Sequence, residues 1–500
     1  MSSPQTAAFA TPDWVRDAVF YQIFPDRFAR SDKLAKPRNL EPWDSPPTEY
    51  GFKGGDLLGV VEHLDYLEDL GITALYFNPI FKSAANHRYH TYDYYQVDPI
   101  LGGNAAFSTL LDEAHRRGMR VVLDGVFNHA SRGFFQFNHI LENGAASPYL
   151  DWFSINGWPL HAYDTSRKPN YAAWWGLRAL PKFNTNIPAV RAFLMDVATH
   201  WIEQGVDGWR LDVPGEIDDD GFWREFRQRV KAVNAQAYIV GEIWQDGRRW
   251  LQGDMFDAVM NYLLTKACLA FFIGRNLHQV LSSGVGYSPV EPVEAEGFAS
   301  VVGELLAMYP QQVTQVQMNL LGSHDTARFL SLSRGDESAL RLAVLFLMCY
   351  PGAPCIYYGD EVGMMGGKDP DCRRAFQWDE GRWNLELREY VKACIALRRE
   401  HPALCRGEVM TLYAKGMVFA LGRRLTASEE HAGSSHEETL IAVFNTGKSP
   451  WDLDVPVEGY LSEGAVLQGL WGEGQASVGK GRLRGLEVPA RRGVVLQLEG

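Results

Sequence analysis

The sequence has few cysteines, no long apolar run and no excess of positive charge, and each shortage excludes a class of protein. Six cysteines, most of them in apolar or helical stretches and none at metal-ligand spacing, predict buried free thiols rather than disulfides or a zinc site. No segment reaches the roughly 18 apolar residues that a membrane-spanning helix needs. The formal charge of −13 disfavours nucleic acid as a partner, because nucleic acid attracts basic surfaces.

The first residues also lack the pattern of a secretory leader. Residues 1–11 contain no basic segment followed by an apolar core. We therefore expect a reduced, cytoplasmic protein with no membrane partner. The apolar fraction of 46% and the charged fraction of 22% are globular values. A chain of 500 residues accommodates a large barrel with insertions and a small extra module.

Strand-like apolar runs alternate with helical periodicity along most of the chain. The runs begin at Ala18, Ile72, Arg120, Val206, Ala237, Phe256, Val316 and Ala353. Helices are predicted between them over 57–70, 104–117, 221–233, 340–349 and 385–399, and a long loop over 282–296. Such alternation predicts a parallel sheet in an α/β protein. Eight strands predict a (β/α)8 TIM barrel.

Two departures from this alternation divide the chain. Residues 128–187 separate the third strand from its helix, where a loop of about 2–6 residues is usual. They are rich in aromatic residues, Asn, Gly and Pro, so we predict an inserted subdomain B between barrel segments 1–127 and 188–402. Residues 403–500 predict a C-terminal antiparallel β-sandwich. Its strands are expected over 409–413, 417–421, 439–444, 483–488 and 493–498, with at most a hairpin loop over 427–438.

Four of the predicted strands end in acidic residues, namely Asp124, Asp212, Glu242 and Asp325. The carboxyl ends of parallel strands in a barrel share one rim, where active sites lie. Arg210 shares a strand face with Asp212, because alternate residues point the same way. Burial of either charge alone would be costly, so a structural ion pair explains this one strand. It does not explain four carboxylates on one rim.

As a set, these strand ends resemble the four short motifs of the α-amylase family of retaining glycoside hydrolases, family 13. The four stretches are Arg120–His129, Gly208–Asp212, Ala237–Trp244 and Val316–Asp325. Leu180–Asn184 resembles a fifth motif, that of the cyclomaltodextrinase, neopullulanase and maltogenic amylase branch. The similarity extends from about Trp14 to the C-terminus, and the chain is similar to glycogen-debranching amylases of the cyanobacterial type. This resemblance implies cleavage of α-1,4 and α-1,6 bonds in maltodextrins, cyclomaltodextrins, pullulan or branched glucans.

The resemblance implies that Asp212 is the nucleophile, Glu242 the acid/base and Asp325 the transition-state stabiliser. Hydrolysis of a sugar acetal needs such an acid and an opposing carboxylate. We expect Arg210 to lower the pKa of Asp212, and apolar surroundings with Trp244 to raise the pKa of Glu242. Retention requires the two carboxyl groups to lie about 5–6 Å apart, and a separation near 9 Å indicates inversion. Asp325 taken alone is more typical of a helix cap, because Ser-His-Asp-Thr can start a helix.

The expected binding residues combine aromatic faces with polar groups, because a sugar has C–H faces and a hydroxyl edge. The resemblance implies that Tyr89 stacks on the sugar at the cleavage point, that Trp244 lies on the leaving-group side, and that Asp369 and Arg373 grip the preceding sugar. The full predicted set is His87, Tyr89, His129, Arg210, Glu216, Trp244, His324, Asp369 and Arg373, supported by Asp124, Asn128, Lys182 and Asn184. Asp124 and Asn128 are expected to orient Arg210 and the loop. Each group has an alternative role. The aromatic residues could pack in the barrel, the histidines could be structural, and the segment of Asp369 and Arg373 could be a solvated turn.

The chain departs from the branch at three places. Relatives carry an N-terminal β-sandwich, whereas strand one here begins near residue 18. We therefore expect an open site, and a monomer or a homodimer not formed through such a domain. Val213-Pro-Gly replaces the usual Ala-Asn before Glu216, which leaves the balance of α-1,4 and α-1,6 cleavage open. The loop after Arg30 lacks the Asn/Asp cluster that holds calcium in relatives, although Asp56 remains.

Calcium needs six to eight oxygen ligands, so we expect no required cofactor and no metal at the catalytic residues. The expected partner is an α-glucan. Three other functions use the same residues: a transglycosylating α-glucanotransferase, an exo-acting α-glucosidase and a non-catalytic glucan-binding protein. The last is disfavoured because such relatives usually lose one of the three acids, and this chain keeps all three.

Overall fold

A closed parallel sheet is the centre of the molecule. The computed structural model describes residues 9–426 and 437–499. Its parallel strands are β1 Phe20–Ile23, β2 Ala74–Phe77, β3 Arg120–Gly125, β4 Gly208–Leu211, β5 Tyr238–Gly241, β6 Ala258–Val259, β7 Met318–Leu320 and β8 Ala353–Tyr357. They pair in the order β6-β5-β4-β3-β2-β1-β8-β7. A parallel bridge between Met260 and Met318 joins the two outer strands, so the sheet forms the predicted barrel.

The strands are nearly continuous apolar runs because they are buried on both faces, as in parallel sheets covered by helices. The helices are Pro25–Phe28, Leu57–Glu62, Leu64–Leu70, Gly103–Arg116, Phe135–Asn143, Pro188–Glu203, Asp220–Val233, Tyr262–Cys268, Gln279–Ser282, Ala295–Met308, Gln311–Thr314, Phe329–Leu332, Glu337–Cys349, Leu385–Glu400 and Pro402–Arg406. Gly71 ends the helix before β2 with a φ of 93°, a left-handed conformation that favours glycine.

Two parts of the barrel differ from a regular alternation of strands and helices. Residues 242–257, between β5 and β6, form turns, so this unit lacks the helix that a regular (β/α)8 barrel contains. Helix Ala295–Met308 was not predicted, and it starts inside the last two residues of the loop predicted over 282–296. Gly297 and Gly303 lie in that helix, and glycine lowers intrinsic helix propensity. Burial of Phe298, Val302 and Leu305 stabilises the helix instead.

Residues between β3 and helix Pro188–Glu203 form a small unit beside the rim. Its helix Phe135–Asn143 packs on Phe153 and Tyr171 through edge-to-face ring contacts. Isolated antiparallel bridges join His129 to Lys182 and Phe153 to Phe183. The start and the end of the insertion are therefore held together next to the end of β3.

The C-terminal module is an eight-stranded antiparallel sheet with its own apolar core. Its strands are β9 Glu408–Lys415, β10 Val418–Leu425, β11 Glu438–Asn445, β12 Trp451–Pro456, β13 Val466–Trp471, β14 Gln475–Gly479, β15 Arg482–Val488 and β16 Arg492–Leu498. All five predicted strands are present, whereas β12, β13 and β14 were missed. The hairpin loop predicted over 427–438 lies, for residues 427–436, outside the described residues.

All six cysteines are buried and free, as the sequence predicted.

A short hairpin of Phe81–Ser83 and Thr91–Val97 follows β2 and leads into helix Gly103–Arg116. Within residues 9–426 and 437–499, no helix is both long and apolar enough to cross a membrane.

Candidate active site

Arg210 on β4 joins carboxylates from three neighbouring strands. Its Nη1 atom lies 2.9 Å from Asp124 Oδ1 and 3.0 Å from Asp212 Oδ1, and its Nη2 atom lies 3.1 Å from Glu242 Oε2. Strand register produces this convergence, since Arg210 pairs with Asp124 on β3 and with Val240 on β5. One buried guanidinium therefore holds the two predicted catalytic acids within reach of each other.

The predicted acid/base residue, Glu242, is held by two further donors. The backbone N–H of Val213 donates to Glu242 Oε2 at 2.9 Å, and the Trp244 indole N–H donates to Oε1 at 3.0 Å. Val213 has a φ of 37° and a ψ of 50°. This left-handed conformation is strained for a β-branched residue, and such strain is concentrated at functional sites. Here it accompanies the contact between the Val213 amide and Glu242.

Burial, rather than pairing, decides the direction of the pKa shifts in this cluster. Burial raises the pKa of Asp212 well above its usual value despite Arg210, and the charges of Glu242, Asp124 and Asp325 raise it further. Arg210 lowers this pKa, as predicted, but burial outweighs its effect, so the net shift is upward and not downward. Burial also raises the pKa of Glu242, as predicted. Trp244 has the opposite effect to that expected, because its N–H favours the ionised carboxylate.

Asp325 connects to the predicted glycone-binding pair, Asp369 and Arg373. Arg373 Nη2 lies 3.3 Å from Asp325 Oδ1, and Arg373 Nη1 lies 2.9 Å from Asp369 Oδ1. The Arg373 Nε–H also donates to the carbonyl oxygen of His324 at 2.9 Å. Asp325 does not cap a helix, since the next helix, Phe329–Leu332, begins after Arg328. The structure thus brings these acids and this arginine into one network.

Tyr89 and His324 form a second network behind the acids. Gln22 Nε2 donates to His324 Nδ1 at 2.9 Å, so the proton of the neutral ring lies on Nε2, which faces the Tyr89 hydroxyl at 2.7 Å. Burial lowers the pKa of His324 well below its usual value, which favours this neutral form. The Tyr89 hydroxyl donates to Asp124 Oδ2 at 2.8 Å and accepts from Asn78. Asp124 therefore orients both Arg210 and Tyr89.

Two more predicted residues stand beside these networks. The His87 ring lies 5.6 Å from the Tyr89 ring, and burial lowers the pKa of His87 well below its usual value. The Trp244 indole stacks on Tyr262 with ring centroids 3.7 Å apart. Tyr262 thereby limits the positions that Trp244 can take.

The remaining predicted residues lie where the small unit after β3 contacts the rim. Lys182 Nζ lies 2.8 Å from Glu216 Oε2. The Asn128 side-chain amide donates to His129 Nδ1, and among the described residues the side-chain oxygen Oδ1 of Asn128 has no hydrogen-bond partner. The prediction that it orients Arg210 is therefore wrong. Asn184 donates to the backbone carbonyl of Asp151 and stabilises the insertion.

Sequence reasoning missed five residues of these networks: Gln22, Tyr76, Asn78, Trp174 and Tyr262. Gln22 and Asn78 were recognisable as polar residues in or directly after buried strands β1 and β2. Trp174 stacks on His129 with ring centroids 5.2 Å apart and an interplanar angle of 12°. Tyr76 donates to Asp124 at 2.9 Å. Nothing in the sequence distinguishes Tyr76 or Tyr262 from ordinary core aromatics.

The calcium site of the branch does not fit this chain. Both carboxylate oxygens of Asp56 already have partners, namely the N–H groups of Ser31 and Gly59 and the Lys36 ammonium. In the part of the chain that the structure describes, no three His, Cys, Asp or Glu side chains gather in a way that would hold a metal ion.

Comparisons with known proteins agree with this geometry. The profile of the alpha-amylase catalytic domain matches residues 22–403. A cyclomaltodextrinase of Geobacillus thermopakistaniensis is 45% identical over 452 residues, which cover 90% of this chain and 72% of that protein.

Two solved structures are similar over almost the whole chain. The structure of Ttha1563 from Thermus thermophilus has a TM-score of 0.91 and 49% identity, and covers 97% of this chain and 100% of that chain. The native debranching enzyme of Nostoc punctiforme has a TM-score of 0.87 and 48% identity, and covers 97% of this chain and 99% of that chain.

Proposed function

Since the chain belongs to the α-amylase family of glycoside hydrolases, we propose that it hydrolyses α-1,4 and α-1,6 glucosidic bonds of α-glucans with retention. The observation that carries this proposal is the single guanidinium of Arg210, bound to both Asp212 and Glu242. Retaining hydrolysis needs two carboxyl groups close together on either side of the scissile bond. Asp325, the third acid, follows β7 and forms an ion pair with Arg373.

In the first step, Glu242 donates its proton to the glycosidic oxygen while the Asp212 carboxylate attacks the anomeric carbon. The bond to the leaving sugar breaks and an ester bond to Asp212 forms. The crowded acids retain a proton, because burial raises the pKa of both Asp212 and Glu242. When that proton resides on Glu242, Arg210 stabilises the ionised Asp212. Asp325 contacts the sugar hydroxyls that change position as the ring flattens.

In the second step, the Glu242 carboxylate takes a proton from water, and the water oxygen attacks the anomeric carbon. The ester bond to Asp212 breaks, and the sugar leaves with its original anomeric configuration. The N–H groups of Val213 and Trp244 stabilise Glu242 while it is ionised between the two steps. The same two donors thus hold the residue in both of its roles.

The substrate class follows from the relatives and from the rim. The similar proteins are named a cyclomaltodextrinase and a debranching enzyme, names that belong to ring-opening and branch-cleaving hydrolases. We propose linear, cyclic and branched α-glucans as substrates. Exposed Glu216, paired with Lys182, borders the leaving-group side, where Val213-Pro-Gly departs from the branch. We further propose a cytoplasmic enzyme that acts as a monomer or homodimer without a bound cofactor.

The roles of the acids are tested by conservative amide substitutions. We expect Asp212→Asn and Glu242→Gln each to reduce kcat on maltoheptaose by about 10³-fold or more, because each removes one of the two groups that retention needs. Reducing-sugar release is the measurement, with circular dichroism as a check on folding. Asp218→Asn is the control, since Asp218 is 81% exposed and pairs with Arg249 at the surface. An Asp212 or Glu242 variant within tenfold of the wild type would refute the assignment.

A further inference from the structure

A lysine ammonium binds Asp56, the carboxylate that the resemblance to the branch places in its calcium-binding pattern. Lys36 Nζ lies 2.7 Å from Asp56 Oδ2 and donates to the carbonyl oxygen of Ile100 at 3.1 Å. The Asp56 side chain is fully buried and that of Lys36 is 13% exposed. Asp56 follows Gly54-Gly55 and is the one acidic residue that remains of the calcium-binding pattern. The loop sequence did not predict this contact, because it indicated only that calcium ligands are missing.

Among the described residues, the oxygen atoms of Asp56 and the carbonyl oxygen of Lys53 are not free to bind calcium. Asp56 Oδ1 accepts from Gly59 N at 2.7 Å, and Oδ2 accepts from Ser31 N at 2.9 Å in addition to Lys36. The carbonyl oxygen of Lys53, close by in the chain, accepts from Arg30 Nη2. Calcium requires six to eight oxygens. Those present are already bound to nitrogen donors.

Fixed positive charge also opposes a metal ion at this place. Arg30 and Arg88 lie within electrostatic reach of the Lys36 ammonium. Arg88 is fully buried and contacts Asp98 at 3.5 Å and Asp26 at 3.9 Å. A divalent cation beside Asp56 would be repelled by these three side chains, and in a buried environment that repulsion is weakly screened.

We propose that the Lys36 ammonium permanently replaces the structural calcium of the branch. It joins three segments: the loop after β1 that carries Ser31, the turn at Asp56 that caps helix Leu57–Glu62, and the 3-10 turn Pro99–Leu101. This inference rests on the contacts of Asp56 and is independent of the proposed reaction.

The same junction supports the binding rim from behind. Asp98 accepts from Ile100 N through Oδ1, and its other oxygen faces Arg88. Arg88 immediately precedes Tyr89 and has a φ of 58°, so its buried contacts hold a strained segment in place. Loss of the Lys36 link would therefore loosen the turn on which Arg88 and Tyr89 depend.

Thermal unfolding of the full-length protein tests the proposal. For the wild type we expect the same Tm after dialysis against EDTA and after addition of calcium chloride. We expect Lys36→Met, which keeps the side-chain length and removes the charge, to lower the Tm by several degrees because it leaves a buried carboxylate without its counter-ion. Calcium chloride should not restore this loss, since calcium does not find enough free oxygens.

Lys33→Met is the matched control, because Lys33 lies in the same loop but is 69% exposed and pairs with Glu62 at the surface. We expect its Tm to equal that of the wild type. A wild-type Tm that falls in EDTA and recovers with calcium chloride would overturn the proposal. So would a Lys36→Met Tm equal to that of Lys33→Met, because Lys36 would then not act as a link.

Discussion

The excess of negative charge around Arg210 affects the pKa values of the neighbouring acids. Asp124, Asp212 and Glu242 each contact this one guanidinium, so negative groups exceed positive groups in a buried space. Burial raises the pKa of Asp124 to about 6, and it raises those of the other two acids as well. A cluster of this kind keeps one proton near neutral pH, which is the state that an acid catalyst requires.

His129 gives a prediction about stability and pH. Burial lowers the pKa of His129 to about 3, whereas an unfolded histidine titrates near 6.5. Between these values the unfolded chain binds more protons than the folded protein, so this contribution to stability is lost as the pH falls. We expect the free energy of unfolding in urea to fall between pH 7 and pH 5 by about 2 kcal/mol more in the wild type than in His129→Gln.

The control for this prediction is His161→Gln, which changes a histidine on a loop of the same insertion. Its stability should follow the wild type at both pH values. Equal pH dependence in the wild type and in His129→Gln would contradict a buried neutral imidazole at position 129.

At the residue scale, the sequence predicted which side chains gather better than it predicted their electrostatics. Position at a strand end predicted that Asp124, Asp212, Glu242 and Asp325 share one rim, because the ends of parallel strands meet there. The resemblance to the α-amylase family then assigned the catalytic roles. The net direction of the pKa shift of Asp212 was not predicted, because the depth of burial and the number of neighbouring acids depend on packing. The strained conformation of Val213 is likewise invisible in the sequence.

At the scale of elements, a row of stacked rings runs from the site to the surface. Trp174 stacks on His129, and Trp175 stacks on Trp174 with ring centroids 4.5 Å apart and an angle of 14°. Trp175 is 80% exposed and has a left-handed φ of 48°. A large apolar ring held in a strained, exposed position beside a sugar site has the character of a binding surface.

We expect Trp175→Ala to raise KM for maltoheptaose by about five- to tenfold, which corresponds to about 1–1.4 kcal/mol, with little change in kcat. The rate on a maltose derivative with a short chromogenic leaving group should change less, since it is too short to reach the ring. Phe135→Ala is the control, because Phe135 is a 62% exposed aromatic of the same insertion. If KM for maltoheptaose rose equally in both variants, the ring would have no specific role.

Helices and strands with a clear hydrophobic pattern were predictable from the sequence, and irregular elements were not. The eight barrel strands are nearly continuous apolar runs, so their order and number followed from the sequence. No helix was predicted between β5 and β6, and the structure has turns there. Strands β12, β13 and β14 have polar or glycine residues at several positions, and their pairing across the sheet stabilises them instead.

At the scale of the whole molecule, the barrel and the C-terminal module share an aromatic cluster. Phe419 and Phe444 of the module pack against Phe298 and Phe346 of the barrel, with ring centroids between 5.0 and 6.2 Å apart. Arg423 of the module donates to the carbonyl oxygen of Cys349 in the barrel. Apolar contacts and buried hydrogen bonds thus join the two parts.

We expect Phe419→Ala to reduce the free energy of unfolding by about 3–5 kcal/mol, because Phe419 is fully buried. Barrel and module should still unfold in a single calorimetric transition at a lower temperature. A separate early transition that left the main transition unchanged would show that the module does not stabilise the barrel. Tyr413→Ala, on the partly exposed strand β9, is the control and should change the stability much less.

In the proposed mechanism, Asp212 forms a bond to the anomeric carbon, and water then displaces Asp212 from that carbon. Proton NMR of fresh maltotriose hydrolysis observes this directly, through the anomeric signal of the new reducing end before mutarotation. The proposed chemistry predicts that the α-anomer appears first and only later equilibrates with the β-anomer. Initial formation of the β-anomer would contradict it.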